Sequence, residues 1–244
     1  MKIDGTYESS QSTEADNLIS YKIYFIRHGL TEGNEEGRYI GSTDLPLSGE
    51  GKEALHKLQA ECEYPDVQKV YTSPLQRCLD TAEMLYPDRM IHIVSNLREY
   101  DFGRFEGKSI EELKSDPDFV RWAQGGMKMV PEGAEDMKTF IARCGEGLDE
   151  VVADMMKNHV REAAVVTHGG VMMNLLSMFG YPKREPLYWT VENGHGYTAL
   201  LNAQLWQRDH IFEVFDPLPY QRDDFSEPMG YGIFDVEADG SPNE

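Results

Sequence analysis

Two histidines, two arginines and a glutamate stand where their side chains could act on one substrate. Arg27-His28-Gly29-Leu30-Thr31-Glu32-Gly33-Asn34 follows the apolar run Tyr24-Phe25-Ile26, and Thr167-His168-Gly169-Gly170 follows Ala163-Ala164-Val165-Val166. Arg77 comes just after Ser73-Pro74-Leu75, and Glu99 lies in Leu97-Arg98-Glu99-Tyr100-Asp101-Phe102-Gly103. Forked guanidinium donors match the oxygens of a tetrahedral dianion, and an unprotonated imidazole can attack its centre. Neighbouring arginines help to hold that imidazole neutral. A glutamate among anionic oxygens is pushed toward its protonated form, which suits it to donate a proton to a departing alkoxide and later take one from water. One Arg-His-Gly is also what an ordinary strand end looks like. Two strand ends that each present a histidine followed by glycine are not what core filling produces.

The elements that must position these groups are legible in the pattern of apolar residues. Tyr24 to Ile26, Val67 to Thr72, Met90 to Val94 and Ala163 to Thr167 read as buried strands. Tyr197 to Leu205 and Ile211 to Phe215 read as two more. Ser48 is expected to cap a helix carrying Ala54, Leu55 and Leu58. Ser73 is expected to cap, with Pro74 at the first position, a helix running to Leu85. Ser109 with Glu112 predicts a capping box. Met137, Phe140, Ile141, Cys144, Leu148, Val151, Val152 and Met155 form one apolar stripe of a long helix whose function is packing, and an apolar helix follows Gly170 as far as Phe179. Strands alternating with helices predict an α/β three-layer sandwich, with a mainly parallel central sheet and helices on both faces. Ligands bind such sheets at the carboxyl ends of the strands, where both histidines fall.

Composition bounds the rest. The 244 residues suit one domain with extensions. Residues 1–20 read as a flexible polar arm, 21–215 as the folded domain, and 216–244 as an acidic tail with eight acidic residues, four prolines and one arginine. Lys plus Arg is 23 and Asp plus Glu is 43, a net charge of −20, which argues against nucleic acid or an anionic membrane as partner. No apolar run has membrane-spanning length and the amino terminus does not read as a signal peptide. Cys62, Cys78 and Cys144 have neither metal-ligand spacing nor the makings of a disulfide framework, so a reduced, cytoplasmic compartment is expected.

Five ordered blocks resemble the histidine phosphatase superfamily, the phosphoglycerate mutase-like proteins. They are Arg27-His28-Gly29, Ser73-Pro74-Leu75 with Arg77, Leu97-Arg98-Glu99 with Phe102-Gly103 and Glu106-Gly107, Thr167-His168-Gly169-Gly170, and the loop Gly41 to Ser48 with Gly49 and Gly51. The resemblance spans about residues 21 to 205. It implies a phosphoglycerate mutase-like fold, His28 as nucleophile, Arg27, Arg77 and His168 as phosphate pocket, Glu99 as proton donor, and Thr31 and Asn34 as supporting contacts. It implies no metal and no cofactor, with a small phosphorylated metabolite as the partner. Asp101 is the rival of Glu99 for the acid role, and the family pattern puts Glu99 first. His195 reads equally as a pocket-mouth residue or a turn residue. Tyr39, Phe102, Phe105 and Trp122 read as a substrate rim or as packing.

A hydrolase and a mutase share such a pocket. The family's mutases carry arginine directly after the acid glutamate, where this chain has Tyr100, and tend to have asparagine where it has Gly170. They also carry an arginine-containing insertion before the Pro-Glu-Gly block, where this chain has only Lys108, Lys114, Arg121 and Lys128 between Gly107 and Pro131. These departures favour a metal-independent phosphomonoesterase of the histidine acid phosphatase type, working through a phosphohistidine. A mutase is the alternative, and a non-catalytic phosphate-binding module, which usually lacks one of these histidines or arginines, is the second.

Overall fold

The computed structural model describes residues 20–124 and 129–222. In chain order the elements are β1 (Ser20–Arg27), α1 (Glu32–Glu35), α2 (Gly49–Glu61), β2 (Cys62–Glu63), β3 (Lys69–Thr72), α3 (Gln76–Leu85) and β4 (Ile91–Ile93). Then come α4 (Ile110–Leu113), α5 (Pro117–Gln124), α6 (Met137–Lys157), β5 (Glu162–Thr167), α7 (Gly169–Phe179) and β6 (Gly180–Tyr181). The chain closes with β7 (Gly196–Asn202), α8 (Ala203–Asp209), β8 (Phe212–Leu218) and β9 (Tyr220–Gln221).

Seven strands form the main sheet in the order β4-β3-β5-β1-β7-β8-β6, and β2 pairs with β9 apart from it. The pairs β4–β3, β3–β5, β5–β1 and β8–β6 are parallel, whereas β7 is antiparallel to both β1 and β8. The sheet is therefore mainly parallel, and β1 and β5 lie side by side at its centre, with Arg27 in register with Thr167. That register brings the two histidine-bearing strand ends together. It also explains why both strands are continuous apolar runs, since central parallel strands are covered on both faces. Ile23, Phe25 and Val165 face one cluster, packed on α6 and α7 through Leu148, Val151 and Leu175. Tyr24, Ile26 and Val166 face the other, packed on Leu55 of α2 and Cys78 and Ala82 of α3. Among the described residues no helix is long and apolar enough to cross a membrane. Cys62, Cys78 and Cys144 are buried free thiols.

Several elements differ from the sequence reading. The helix expected from Pro74 begins at Gln76 and has no side-chain cap from its own N-cap residue. Ser73 is drawn away to a histidine, and Asp44 of a distant loop takes the Gln76 N–H instead, at 2.7 Å. The run Tyr197 to Leu205 is a strand only to Asn202, whose side chain then caps α8. Trp206, just beyond that run, is buried on α8. The last strand runs on to Leu218 and β9 follows, so ordered chain continues beyond residue 215. The polar arm up to residue 19 and the tail from residue 223 lie outside the described residues. Ser48 and Ser109 cap as expected, Ser109 with Glu112 in a full capping box.

The α6 stripe is the largest single contribution to the core, and Leu148 within it is fully buried. Leu148→Ala should lower the unfolding free energy by about 2–5 kcal/mol, whereas Met90→Ala, at a residue 76% exposed, should stay within about 0.5 kcal/mol. Urea denaturation followed by circular dichroism measures both. Equal effects would contradict the placement of α6.

Candidate active site

β1 ends at Arg27 and delivers His28 over the carboxyl edge of the sheet, where its ring is almost wholly buried. His28 Nδ1 lies 2.7 Å from the Gly29 carbonyl oxygen. A carbonyl only accepts, so Nδ1 carries the proton and Nε2 keeps its lone pair. Burial, then the charge of Arg77 and, less strongly, that of Arg27 push the His28 pKa well below the usual histidine value, with the Gly29 carbonyl opposing. That favours a neutral ring whose Nε2 lone pair is free.

The backbone that holds this ring is itself tied down. Gly29 N–H donates to Thr81 Oγ1 at 2.9 Å, and Thr81 in turn donates to the Arg77 carbonyl at 2.6 Å. Asn193 Nδ2 donates to the His28 carbonyl at 2.9 Å, and Gly194 N–H donates to the Arg27 carbonyl at 2.9 Å. Neither Thr81 nor Asn193 was singled out by the sequence. Thr81 had one usable signal, its position one helical turn after Arg77.

His168 sits at the N-cap of α7, and its ring centroid is 5.2 Å from that of His28. Arg77 Nε–H donates to its Nδ1 at 3.3 Å, so Nε2 carries the hydrogen that Ser73 Oγ accepts at 2.7 Å. This is the bond that replaces the expected helix cap. His168 too is held well below the usual histidine pKa, by burial first and by Arg77 next.

Arg77 is completely buried. Its terminal nitrogens donate to the carbonyls of Thr43 at 2.8 Å and Gly41 at 2.7 Å, and its Nε to His168. Of five N–H groups that leaves one on each terminal nitrogen. Arg27 donates from one terminal nitrogen to the Val191 carbonyl at 2.7 Å, while its buried Nε has no partner. Burial depresses the pKa of Arg27, Glu99 offsets part of this, and the nearby Arg77 guanidinium adds a smaller depression. A pair of cations short of anions is a site prepared for one.

Glu99 supplies a carboxyl group in the same cluster. Its Oε1 accepts from Tyr100 N–H at 2.8 Å and its Oε2 from Gly170 N–H at 2.9 Å, at the amino end of α7. Burial raises its pKa; the two N–H groups and then Arg77 and Arg27 oppose, and burial prevails. Asp101 is turned elsewhere, accepting from Gly103 N–H at 2.8 Å as the anchor of a turn. Thr31 and Asn34 form the capping box of α1, with the Thr31 hydroxyl 3.0 Å from Asn34 Oδ1 and Asn193 reaching the same oxygen at 3.5 Å. Thr31 is thus a buried structural partner, and Asn34 borders the His28 backbone through Asn193.

Of the remaining candidates, His195 borders the cluster and the aromatic residues lie off it. His195 bonds the Asn193 carbonyl at 3.2 Å and lines a cleft of about 760 Å³ with Arg27, Leu30 and Lys57. Tyr39 packs edge-to-face on Phe102, Phe119 and Trp122, and Phe105 on Phe119 and Trp122, in a small core of their own, with Phe105 and Trp122 buried. Among the described residues no group of three or more His, Cys, Asp or Glu side chains is placed to hold a metal ion.

Gly170 stands close against the Glu99 carboxyl group. A Cβ there would stand 2.4 Å from Glu99 Oε1 and 3.0 Å from its carboxyl carbon. Gly170→Ala should therefore expel the carboxyl group from the amino end of α7 and lower kcat/KM on an alkyl phosphate by roughly 10²-fold, within the range of general acid catalysis. Circular dichroism should show the fold retained. Unchanged turnover would mean that Glu99 does not work from this position.

Comparison with known proteins points to one family. Residues 23–211 match the family model of the histidine phosphatase superfamily (branch 1). The adenosylcobalamin/alpha-ribazole phosphatase of Escherichia coli is 26% identical over 179 residues, which are 71% of this chain and 86% of that protein. Phosphoserine phosphatase 1 of Hydrogenobacter thermophilus is 30% identical over 159 residues, 64% of this chain and 74% of that protein. In structure, the phosphoglycerate mutase of Bacillus anthracis superposes with a TM-score of 0.63 at 23% identity, over 83% of this chain and 94% of its own, a likeness of fold. A seven-stranded, mainly parallel sheet that brings Arg27, His28, Arg77, Glu99 and His168 to one edge, together with a model match over most of its length, means that this chain belongs to the histidine phosphatase superfamily.

Proposed function

We propose that this protein is a phosphomonoesterase that hydrolyses a small phosphorylated metabolite through a phosphohistidine on His28. The observation that carries the reading is the neutral His28 ring, proton on Nδ1 toward the Gly29 carbonyl and lone pair on Nε2, set among two under-used arginines. Arg77 and Arg27 take the phosphoryl oxygens. His28 Nε2 attacks phosphorus, the N–P bond forms as the ester P–O bond breaks, and the Glu99 proton passes to the departing oxygen. Water then attacks phosphorus, Glu99 takes its proton, the N–P bond breaks, and inorganic phosphate leaves. Dividing one displacement into two is the purpose of such a nucleophile. No step calls on a metal ion.

Hydrolysis is favoured over transfer by Tyr100. Its ring is buried, 5.1 Å from Phe102 and 5.4 Å from Phe140, so the position that carries arginine in the family's mutases faces the core and offers no cation. The relatives named as phosphatases support the same reading. The small phosphorylated compounds in their names make a small ester the expected substrate, and the three free thiols suit a reducing compartment such as the cytoplasm.

The acid role of Glu99 is tested by the leaving group and by pH. An alkoxide needs a proton to depart and a nitrophenolate does not. Glu99→Gln should lower kcat/KM for glycerol phosphate by about 10²–10⁴-fold and for p-nitrophenyl phosphate by far less. In the parent enzyme kcat/KM should fall as pH drops through the depressed pKa of His28, because the protonated ring cannot attack. It should also fall as pH rises through the elevated pKa of Glu99, because the carboxylate has no proton to give. Glu99→Gln cannot ionise, so the second fall should vanish with the glycerol ester. Equal losses on both esters, or an intact alkaline limb, would exclude Glu99 as the acid.

A further inference from the structure

Glu106-Gly107 belongs to the family pattern, yet nothing in the chemistry above uses it. The Glu106 carboxylate is the meeting point of two loops. Its Oε1 accepts from Gly41 N–H at 3.1 Å, Ser42 N–H at 3.0 Å and Phe102 N–H at 3.0 Å. Its Oε2 accepts from Gly41 N–H at 3.1 Å, Thr43 N–H at 3.3 Å and Thr43 Oγ1 at 2.6 Å. Three successive backbone N–H groups converging on one point make a concavity for an anion, and here the protein fills it with its own carboxylate. The loop can approach so closely only because residue 41 is glycine: a Cβ there would stand 1.8 Å from the Tyr100 carbonyl oxygen.

The other face of the same peptide matters for the reaction. In a trans peptide the carbonyl of one residue points opposite to the N–H of the next. With Ser42 N–H aimed at Glu106, the Gly41 carbonyl is turned the other way, onto Arg77 at 2.7 Å. The Thr43 carbonyl, at the end of the same anchored turn, holds the other terminal nitrogen of Arg77 at 2.8 Å. These two carbonyls and His168 are the Arg77 side-chain partners that decide where its two free N–H groups point. We propose that Glu106 is a positioning residue of the phosphate pocket: by occupying the amide concavity of residues 41–43 it fixes the carbonyls that aim Arg77 at the phosphoryl group. The inference rests on the reading of Arg77 as a phosphate ligand.

A carboxylate is required because donors approach both oxygens. Glu106→Gln keeps the shape but turns an amide nitrogen toward N–H groups, leaving donor against donor, while Glu106→Ala empties the concavity. Both variants should keep the parental circular dichroism spectrum, bind inorganic phosphate more weakly and lose roughly 10- to 100-fold in kcat/KM on p-nitrophenyl phosphate, the scale expected when a reacting group is misplaced by about 1 Å. Acetate should restore phosphate affinity and turnover to Glu106→Ala, since it can enter the vacated concavity. It should not restore Glu106→Gln, where the amide still fills the space, nor Arg77→Ala. Parental phosphate affinity and turnover in Glu106→Gln, or no response of Glu106→Ala to acetate, would overturn the role of Glu106. Parental phosphate affinity in Arg77→Ala would overturn the reading of Arg77 itself.

Discussion

The hydrogen bond from His28 Nδ1 to the Gly29 carbonyl, 2.7 Å long, is the constraint around which the rest of this molecule is arranged. It is a bond within two adjacent residues and would be trivial in a loop. Here it decides which nitrogen keeps its lone pair, and it holds only because the Gly29 peptide cannot turn. The Thr81 hydroxyl fixes the N–H of that residue, Asn193 reaches the carbonyls of His28 and Gly29, and β5 receives the His28 N–H at the Thr167 carbonyl at 2.9 Å. Three segments distant in sequence thus converge on the backbone of His28 and Gly29. The parallel β1–β5 pairing that opens the fold is what lets them meet.

The second constraint is electrostatic. A chain of net charge −20 repels phosphate at long range, so its anion site must be local and desolvated. Burial weakens screening, and the same low-dielectric setting that makes the arginines effective also keeps both histidines neutral and Glu99 inclined to hold a proton. These are one effect seen in three side chains. The arginines are kept from collapsing onto Glu99 because backbone carbonyls occupy them: Gly41 and Thr43 for Arg77, Val191 for Arg27. Carbonyls orient a guanidinium without neutralising it, which leaves its charge available to an anion.

The central sheet and the gathering of Arg27, His28, Arg77, Glu99 and His168 at its carboxyl end were largely legible from sequence because both are written locally. Apolar runs ending in His-Gly identify buried strands that stop at a loop, and the family blocks stand in order along the chain. What escaped was written at a distance. Ser73 before Pro74 has every local feature of a helix cap, but a histidine 95 residues away competes for its hydroxyl. Asn202 ends a strand and starts a helix, a change that alternation alone does not reveal. Which of Glu99 and Asp101 joins the cluster depends on whether a carboxylate anchors its own turn, as Asp101 does, or reaches the α7 terminus, as Glu99 does beside Gly170. Tyr39 and its aromatic neighbours were open between rim and core for the same reason, since mutual packing across three segments leaves no periodic trace.

The most direct test of the central claim is the chemical identity of the trapped intermediate. Rapid quench of the enzyme with ³²P-labelled ester, followed by alkaline hydrolysis and separation of the two phosphohistidine isomers, reads both the residue and the nitrogen. The account predicts label on His28 at Nε2, stable in alkali and lost in acid, and absent from His28→Ala. Label on Nδ1, on His168, or still present in His28→Ala would contradict it.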